Sequence, residues 1–193
     1  MVDLGRVQKE LKECNRDVQD SGIQISPRGD GLTHLNGTIP GPIGTPYEGG
    51  IFKIDIILPD GYPFDPPKMK FSTKVWHPNI SSQSGAICLD VLKDQWSPAL
   101  TLKTALLSIQ ALLSDPQPDD PQDAVVAQQY LRDYNTFVGT ARYWTDAFAK
   151  PSFGLDEKVQ RIVEMGFPEA QVRTTLELVG GDENLALESL CSC

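Results

Sequence analysis

The chain has 193 residues, four cysteines, two histidines and a formal net charge of −9, and its length suits one ordinary domain plus a small second one. The charge disfavours nucleic-acid binding, the apolar runs are too short to span a membrane, and scattered cysteines with two histidines predict neither bound metal nor disulfides. We therefore expect an intracellular protein of the cytoplasm or nucleus, without a signal peptide, whose partners are other proteins.

The first segment is predicted to be an amphipathic helix. Its apolar side chains recur at intervals of three and four residues: Leu4, Val7, Leu11, Cys14 and Val18. Asp3 is placed to cap this helix. Because Cys14 lies on the apolar stripe, it is interpreted as a buried hydrophobic side chain rather than as a reactive thiol.

From residue 21 to residue 73 the apolar side chains alternate with a period of two, which is typical of β-strands. The alternating runs are Ile23–Ile25, His34–Ile39, Phe52–Leu58 and Lys68–Phe71. Pairs of glycine and proline separate the runs, so this region is predicted to form a four-stranded antiparallel meander. His34, inside the second run, is interpreted as a packing or surface residue.

Between Val75 and Leu100 the apolar side chains show no regular spacing, so this segment is interpreted as a loop. A loop of this length inside a compact domain is usually functional. Helical periodicity returns afterwards in three segments: Leu102–Leu113, which Thr101 can cap, Ala124–Leu131, and a stretch from Asn135 to Phe148. The first domain is therefore predicted to occupy residues 1–149.

Proline and glycine in residues 150–154 indicate a short linker. The remaining residues, 155–193, contain three helix-sized segments separated by glycine and proline: Asp156–Met165, Glu169–Val179 and Asp182–Cys191. A unit this small has a minimal core, so its few apolar residues must pack tightly. We predict a compact three-helix module.

An ordered set of motifs in the first domain resembles the core of the ubiquitin-conjugating enzymes over residues 1–150. The motifs are Tyr62-Pro63-Phe64, Pro66-Pro67, His77-Pro78-Asn79, Gly85 to Cys88, Trp96-Ser97-Pro98 and Pro118-Asp119-Asp120-Pro121. The resemblance implies an α+β fold with an N-terminal helix, a four-stranded antiparallel meander and C-terminal helices. It also implies an enzyme that accepts ubiquitin from the activating enzyme as a thioester and transfers it to a lysine of a substrate or of another ubiquitin. No cofactor is expected, because ATP is used by the activating enzyme.

Cys88 is the candidate nucleophile, and the alternative for it is a buried structural thiol. The sequence indicates neither a base nor a cation beside Cys88, which suits a carrier whose acyl group arrives already activated. The resemblance assigns Asn79 either to the developing oxyanion or to holding a loop, and Asp120 to orienting the attacking lysine. The alternative for Asp120 is a turn or capping residue, whereas His77 is assigned to holding backbone.

Six further residues match contact positions of the family. Arg6, Lys9 and Lys12, on the polar side of the first helix, are expected to meet the activating enzyme. The second three are expected to dock ubiquitin ligases, of the RING type: Phe64, Pro98 and Ala99. The alternatives are a solvated basic face and ordinary loop anchors.

The terminal module resembles a ubiquitin-associated (UBA) domain, because Met165-Gly166-Phe167 lies between its first two helices and Leu190 ends its third. The resemblance implies that these four residues bind ubiquitin or a growing chain, whereas the alternative is that Met165 and Phe167 only cap the small core. The family usually has a second leucine where this chain has Cys191. The segment from Cys191 to Cys193 is interpreted as a frayed end.

Two other functions compete with the transferase. A catalytically silent ubiquitin-binding adaptor is disfavoured because Cys88, Asn79 and Asp120 occur together. A cysteine hydrolase would need His77 or His34 as its base, together with a third residue that orients the histidine.

Overall fold

The computed structural model describes residues 1–150 and 153–191, so residues 151 and 152 of the expected linker, and Ser192 and Cys193 of the tail, lie outside the described residues. The chain divides after Lys150 into two compact units. Within the described residues, no helix is both long and apolar enough to cross a membrane.

The first unit opens with helix α1, Leu4–Arg16, which Asp3 caps by accepting a hydrogen bond from the Arg6 N–H at 3.0 Å. The predicted stripe extended to Val18, but α1 ends at Arg16, and Val18 begins the separate short helix α2, Val18–Ser21. Cys14 is buried, as its position on the apolar stripe predicted.

Four antiparallel strands follow in the order of the chain, which confirms the predicted meander. They are β1 Gln24–Pro27, β2 His34–Pro40, β3 Ile51–Ile57 and β4 Lys68–Phe71. Alternate side chains of the central strands are fully buried on one face, including Leu35, Ile39, Phe52 and Ile54. This apolar face is covered by α1 and by helix α3, Leu102–Ser114, which packs on β2.

The segment between β4 and α3 is more ordered than the sequence predicted. Single β-bridges join His77 to Ile80, Ile80 to Ile87 and Ala86 to Lys70 of β4, and residues Asp90–Leu92 form a short 3₁₀ helix. The alternation of side chains is too short here for a periodic pattern to reveal these pairings. The bridges attach the candidate catalytic segment to the edge of the sheet.

Helix α3 begins with a capping box, in which the Thr101 side chain accepts from the Thr104 N–H and the Thr104 side chain accepts from the Thr101 N–H. Helices α4, Ala124–Arg132, and α5, Tyr134–Trp144, each start after an aspartate cap, and a π-helical turn continues α5 through Ala149. Aspartate side chains suit these caps because they satisfy helix N–H groups that have no carbonyl partner.

Among its described residues, the second unit contains three helices, as predicted: α6 Phe153–Glu164, α7 Glu169–Leu178 and α8 Glu183–Cys191. Helix α6 begins at Phe153, three residues before the predicted helix and inside the predicted linker 150–154, so the predicted linker was too long. The core of the three helices is small and contains five buried side chains: Val159, Ile162, Val172, Leu176 and Ala186. Lys158 of α6 donates to the Gly181 carbonyl at 2.6 Å, and Arg161 pairs with Glu183 at 2.9 Å. These two contacts tie α6 to the start of α8.

Candidate active site

The backbone around Cys88 is held on both sides by hydrogen bonds. Gly85 has φ +77°, and a Cβ at this position would overlap the Phe71 carbonyl oxygen, so only glycine suits the turn. Phe71 then donates its N–H to the Gly85 carbonyl at 2.9 Å. Three residues later, the Cys88 N–H donates to the Asn79 carbonyl at 2.9 Å. The thiol therefore projects from a fixed piece of backbone.

Two charged side chains lie beside the half-buried Cys88 thiol. Its Sγ is 3.6 Å from Oδ2 of Asp120 and 4.0 Å from Nζ of Lys93. The expectation that no cation lies near Cys88 was wrong. Lys93 returns toward the thiol because the 3₁₀ helix turns the chain there, with the Lys93 N–H donating to the Asp90 carbonyl at 2.9 Å.

The pKa of Cys88 is raised above its usual value. Burial is the largest cause, and the carboxylates of Asp120 and Asp90 act in the same direction, whereas the Lys93 ammonium lowers the pKa and offsets only part of this. At neutral pH the side chain is therefore mainly the thiol. This is the reactivity expected of an acyl carrier rather than of a strongly activated nucleophile.

Asn79 is buried, and its side-chain amide binds the segment that carries Asp120. Nδ2 donates to the carbonyls of Gln117 at 2.8 Å and Asp120 at 2.9 Å, and Oδ1 accepts from the Gln117 N–H at 2.7 Å. An amide has two N–H donors, and both are used here. Of the two roles that the resemblance implied, the geometry favours holding the loop.

His77 is fully buried and holds backbone through both ring nitrogens. Nε2 donates to the Leu112 carbonyl at 2.8 Å, and Nδ1 accepts from the Asn79 N–H at 3.0 Å. Burial lowers the pKa of His77 to about 4, although the Leu112 carbonyl acts in the opposite direction. The imidazole is therefore neutral near pH 7, and its contacts agree with the structural role that the sequence predicted.

The two histidines also bear on the alternative of a cysteine hydrolase. His77 uses both nitrogens on backbone groups, and His34 lies on the sheet, where its Nε2 is 2.6 Å from Oδ1 of Asp55. Arg28 binds the same Asp55 oxygen at 3.1 Å. Each histidine is thus engaged away from Cys88, which disfavours the hydrolase. His34 belongs to a hydrogen-bonded cluster with Asp55 and Arg28, which the alternating pattern of the strand could not reveal.

Residues 6–145 match the family model described as ubiquitin-conjugating enzyme, which covers more than half of the chain. The chain belongs to the ubiquitin-conjugating enzymes. A second family model, described as UBA/TS-N domain, matches residues 155–190, so the enzyme has a ubiquitin-associated domain after its conjugating core. Both matches confirm the resemblances that the motifs carried.

Relatives extend this assignment over the whole chain. The enzyme is 72% identical over 192 residues to Ubiquitin-conjugating enzyme E2 27 of Arabidopsis thaliana, with 100% of both chains covered. It is 45% identical over 196 residues to Ubiquitin-conjugating enzyme E2 K of Homo sapiens, with 99% of this chain and 98% of that protein covered. A solved ubiquitin-conjugating domain of Toxoplasma gondii superposes with a TM-score of 0.74 at 55% identity, over 77% of this chain and 99% of that chain.

Membership of this family makes the enzyme a transferase of the ubiquitin conjugation pathway. Its partners as a class are ubiquitin, the activating enzyme, ubiquitin ligases and substrate proteins. The catalytically silent adaptor is therefore the weaker interpretation of this chain.

The three basic residues assigned to the activating enzyme differ in their surroundings. Lys9 and Lys12 are exposed, and Lys9 lies 3.9 Å from Glu13. Arg6 is half-buried, donates to the Leu100 carbonyl at 2.6 Å and lies 3.5 Å from Glu10. The guanidinium of Arg6 thus links α1 to the loop before α3, whereas the two lysine side chains are exposed at the surface of the helix.

Glu10 is a buried residue that the sequence analysis did not identify. Its Oε2 accepts from the Tyr62 hydroxyl at 2.6 Å, so α1 is also joined to the loop that carries Phe64. Burial raises the pKa of Glu10, although Tyr62 and Arg6 act in the opposite direction. The sequence did contain one signal, because Glu10 is a charged residue on the apolar stripe of α1. Its partner Tyr62 lies 52 residues away, so the sequence did not identify the contact.

The residues assigned to ligase docking are all at the surface. Phe64 is 78% exposed, and Pro98 and Ala99 are exposed in the neighbouring loop. The two loops are joined because Trp96 Nε1 donates to the Pro63 carbonyl at 2.8 Å. A contiguous protein contact across both loops is therefore possible in this arrangement.

In the UBA domain, Met165 is 65% exposed and lies at the turn between α6 and α7. Gly166 has φ +103°, which permits this turn without strain. Phe167 and Leu190 are half-buried against the small core, and Cys191 is exposed. Met165 thus presents apolar surface to solvent, whereas Phe167 and Leu190 both pack on the core and remain partly accessible.

Proposed function

We propose that Cys88 accepts ubiquitin as a thioester from the activating enzyme and passes it to a lysine amine. The observation that supports this most directly is the pairing of the half-buried thiol with the exposed carboxylate of Asp120, 3.6 Å from Sγ. The thiol is the acyl acceptor, and the carboxylate faces the solvent from which a lysine approaches.

The proposed transfer has two steps. In the first, the Cys88 thiol loses its proton and attacks the thioester of the activating enzyme, so that a new C–S bond forms and the thiol of the activating enzyme leaves. In the second, a neutral lysine amine attacks the carbonyl carbon of this thioester, the C–S bond breaks, and the products are an amide and the Cys88 thiolate. The thiolate takes up a proton, and the nitrogen loses one to solvent.

Asp120 is proposed to orient the incoming lysine. A carboxylate at this position attracts the ammonium form, and the amine that results from its deprotonation then lies close to the thioester. Water gains no comparable attraction from a negative charge. Because the thiol has a raised pKa and no histidine base lies beside it, the thioester is expected to resist hydrolysis until a lysine binds.

The decisive test is to incubate the enzyme with ubiquitin, activating enzyme and ATP, and to separate the products with and without reductant. A ubiquitin adduct that reductant removes is expected for the natural chain and for Cys14→Ala, and it is expected to be absent in Cys88→Ala. An adduct that survives reductant, or one that persists in Cys88→Ala, would place the acyl group elsewhere.

We further propose that the ligase partners are of the RING type and dock on Phe64, Pro98 and Ala99, because these residues form exposed surface on two joined loops. Lys9 and Lys12 are proposed to contact the activating enzyme. Arg6 is proposed to belong to the same contact surface, where it binds the Leu100 carbonyl. No cofactor takes part in the proposed reaction, because ATP is consumed by the activating enzyme. The proposed location is the cytoplasm or the nucleus.

The UBA domain is proposed to bind ubiquitin or a growing chain through Met165, Gly166, Phe167 and Leu190. A second ubiquitin bound to the same chain raises the local concentration of acceptor lysines even when the affinity is weak. Met165→Ala is expected to weaken ubiquitin binding by about 10- to 150-fold, because a large apolar contact contributes about 1.5–3 kcal/mol.

Isothermal titration of the full chain with ubiquitin measures this effect. The matched control is Leu178→Ala, which removes a leucine that is 82% exposed at the other end of α7 and is expected to leave the affinity unchanged. Equal affinities for the natural chain and Met165→Ala would contradict the proposed patch.

A further inference from the structure

A second side-chain contact connects the catalytic segments, apart from Asn79. Ser82 and Asp123 are both half-buried, and the Ser82 hydroxyl donates to Oδ2 of Asp123 at 2.6 Å. The Ser82 N–H donates to the same oxygen at 3.0 Å. The other carboxylate oxygen of Asp123 accepts from the Val126 N–H at 3.3 Å and caps α4. One carboxylate thus joins the loop before Cys88 to the start of a helix.

These contacts hold the segment that carries Asp120 at two ends. At its beginning, Gln117 and the Asp120 carbonyl are bound by the Asn79 side chain. At its end, Asp123 is bound by Ser82, and its N–H donates to the Pro78 carbonyl at 3.0 Å. Asp120 is itself held by Asn79 through its carbonyl, and Asp123, which Ser82 binds, follows three residues later. The distance of the Asp120 side chain from Cys88 therefore depends on both attachments.

The electrostatics of Asp123 agree with this arrangement. Although burial raises the pKa of Asp123, the hydrogen bonds from Ser82 and from the first turn of α4 outweigh burial and leave the pKa below its usual value. Asp123 is therefore ionised near neutral pH and accepts a charge-assisted hydrogen bond from Ser82.

We infer that Ser82 is a positioning residue for lysine attack, which acts through Asp123 to keep the Asp120 carboxylate beside Cys88. This inference rests on the proposed function of Cys88 and Asp120. Ser82 does not touch Sγ, and it belongs to the four-residue run Ser81–Ser84 of the loop. Its role is to fix the acceptor side of the site, and it takes no part in forming the thioester.

Comparing discharge to two nucleophiles, lysine and hydroxylamine, distinguishes loss of the position of Asp120 from general damage to the site. Lysine depends on Asp120 to attract and orient its ammonium group, whereas hydroxylamine is mainly neutral near pH 7 and needs no such help. After a single loading with ubiquitin, Ser82→Ala is expected to discharge to free lysine about three- to tenfold more slowly, because a small misplacement of a reacting group is costly. Discharge to hydroxylamine and loading by the activating enzyme are expected to be unchanged.

Ser84→Ala is the matched control from the same loop. The Ser84 hydroxyl accepts from the Ala86 N–H at 3.3 Å, so it serves the turn itself and not the Asp120 segment. This variant is expected to discharge to lysine at the natural rate. Ser82→Thr retains the hydroxyl and is expected to restore most of the rate that Ser82→Ala loses.

The outcomes distinguish this inference from the proposed function. If the natural chain forms no reductant-sensitive adduct, the proposed function fails. If that adduct forms and Asp120→Ala slows lysine discharge while Ser82→Ala does not, only the positioning role of Ser82 is overturned. Equal losses with lysine and hydroxylamine in Ser82→Ala would also overturn it, because the hydroxyl would then support the site as a whole.

Discussion

Replacing Asn79 with alanine is expected to slow the discharge of ubiquitin to lysine by about 100-fold, while the thioester at Cys88 still forms. The side chain of Asn79 makes three hydrogen bonds, all to backbone groups of Gln117 and Asp120. Without them, the segment that carries Asp120 is held mainly from its other end. The carboxylate then no longer lies at a fixed distance from the thioester.

The structure also predicts how this loss combines with a second substitution. If Asn79 acts through Asp120, the double variant Asn79→Ala with Asp120→Ala is expected to discharge to lysine no more slowly than the slower of the two single variants. If Asn79 instead donates to the developing oxyanion, the two losses are expected to multiply. The engagement of both Nδ2 hydrogens favours the first result.

Single-turnover discharge from preloaded enzyme measures these rates, because it separates lysine attack from loading. The controls are the loading rate with the activating enzyme and the thermal midpoint of each variant. A loading rate that falls in parallel with discharge would show that Asn79→Ala damages the whole site. Multiplying losses in the double variant would contradict the loop-holding role.

The elements with regular side-chain patterns could be predicted from the sequence. The stripe of α1 and the alternation in β2 and β3 reflect local periods, because each helix or strand buries one face on the same core. The capping residues Asp3 and Thr101 were equally visible, since an N-cap acts within its own first turn. For this reason the fold was predicted almost completely.

The details of the site were less predictable, because they depend on residues far apart in the chain. Ser82 meets Asp123 across 41 positions, and Glu10 meets Tyr62 across 52. Neither pair belongs to a periodic pattern. Lys93 is only five residues from Cys88, but its approach to the thiol depends on a 3₁₀ turn that the sequence does not signal.

Lowering the pH from about 6.5 toward 4 is expected to destabilise the first unit through His77. The folded pKa of this histidine is about 4, below the 6.5 of an ordinary histidine, because burial of the ring outweighs the opposite effect of the Leu112 carbonyl. In this window the unfolded chain binds more protons than the folded chain, so the free energy of unfolding falls as the pH falls. The pKa difference corresponds to about 3 kcal/mol at its full extent.

Urea unfolding at a series of pH values between 7.5 and 4.5 tests this expectation. Tryptophan fluorescence reports on the first unit alone, because Trp76, Trp96 and Trp144 all lie before residue 150. The comparison is His77→Gln, which is expected to be less stable at pH 7.5 and to lose less stability on acidification. Glu10, whose pKa is raised, has the opposite dependence on pH, but it is present in both chains and cancels in their difference.

The difference between the two chains therefore isolates the protonation of one buried imidazole. His77 holds the Leu112 carbonyl at the end of α3 and the Asn79 N–H before the catalytic cysteine, so protonation of Nδ1 would remove the second of these contacts. If the natural chain and His77→Gln lost stability in parallel from pH 6.5 to 4.5, acid sensitivity would lie elsewhere. A steeper loss of stability in the natural chain would show that the acid sensitivity comes from His77, the residue that supports Asn79.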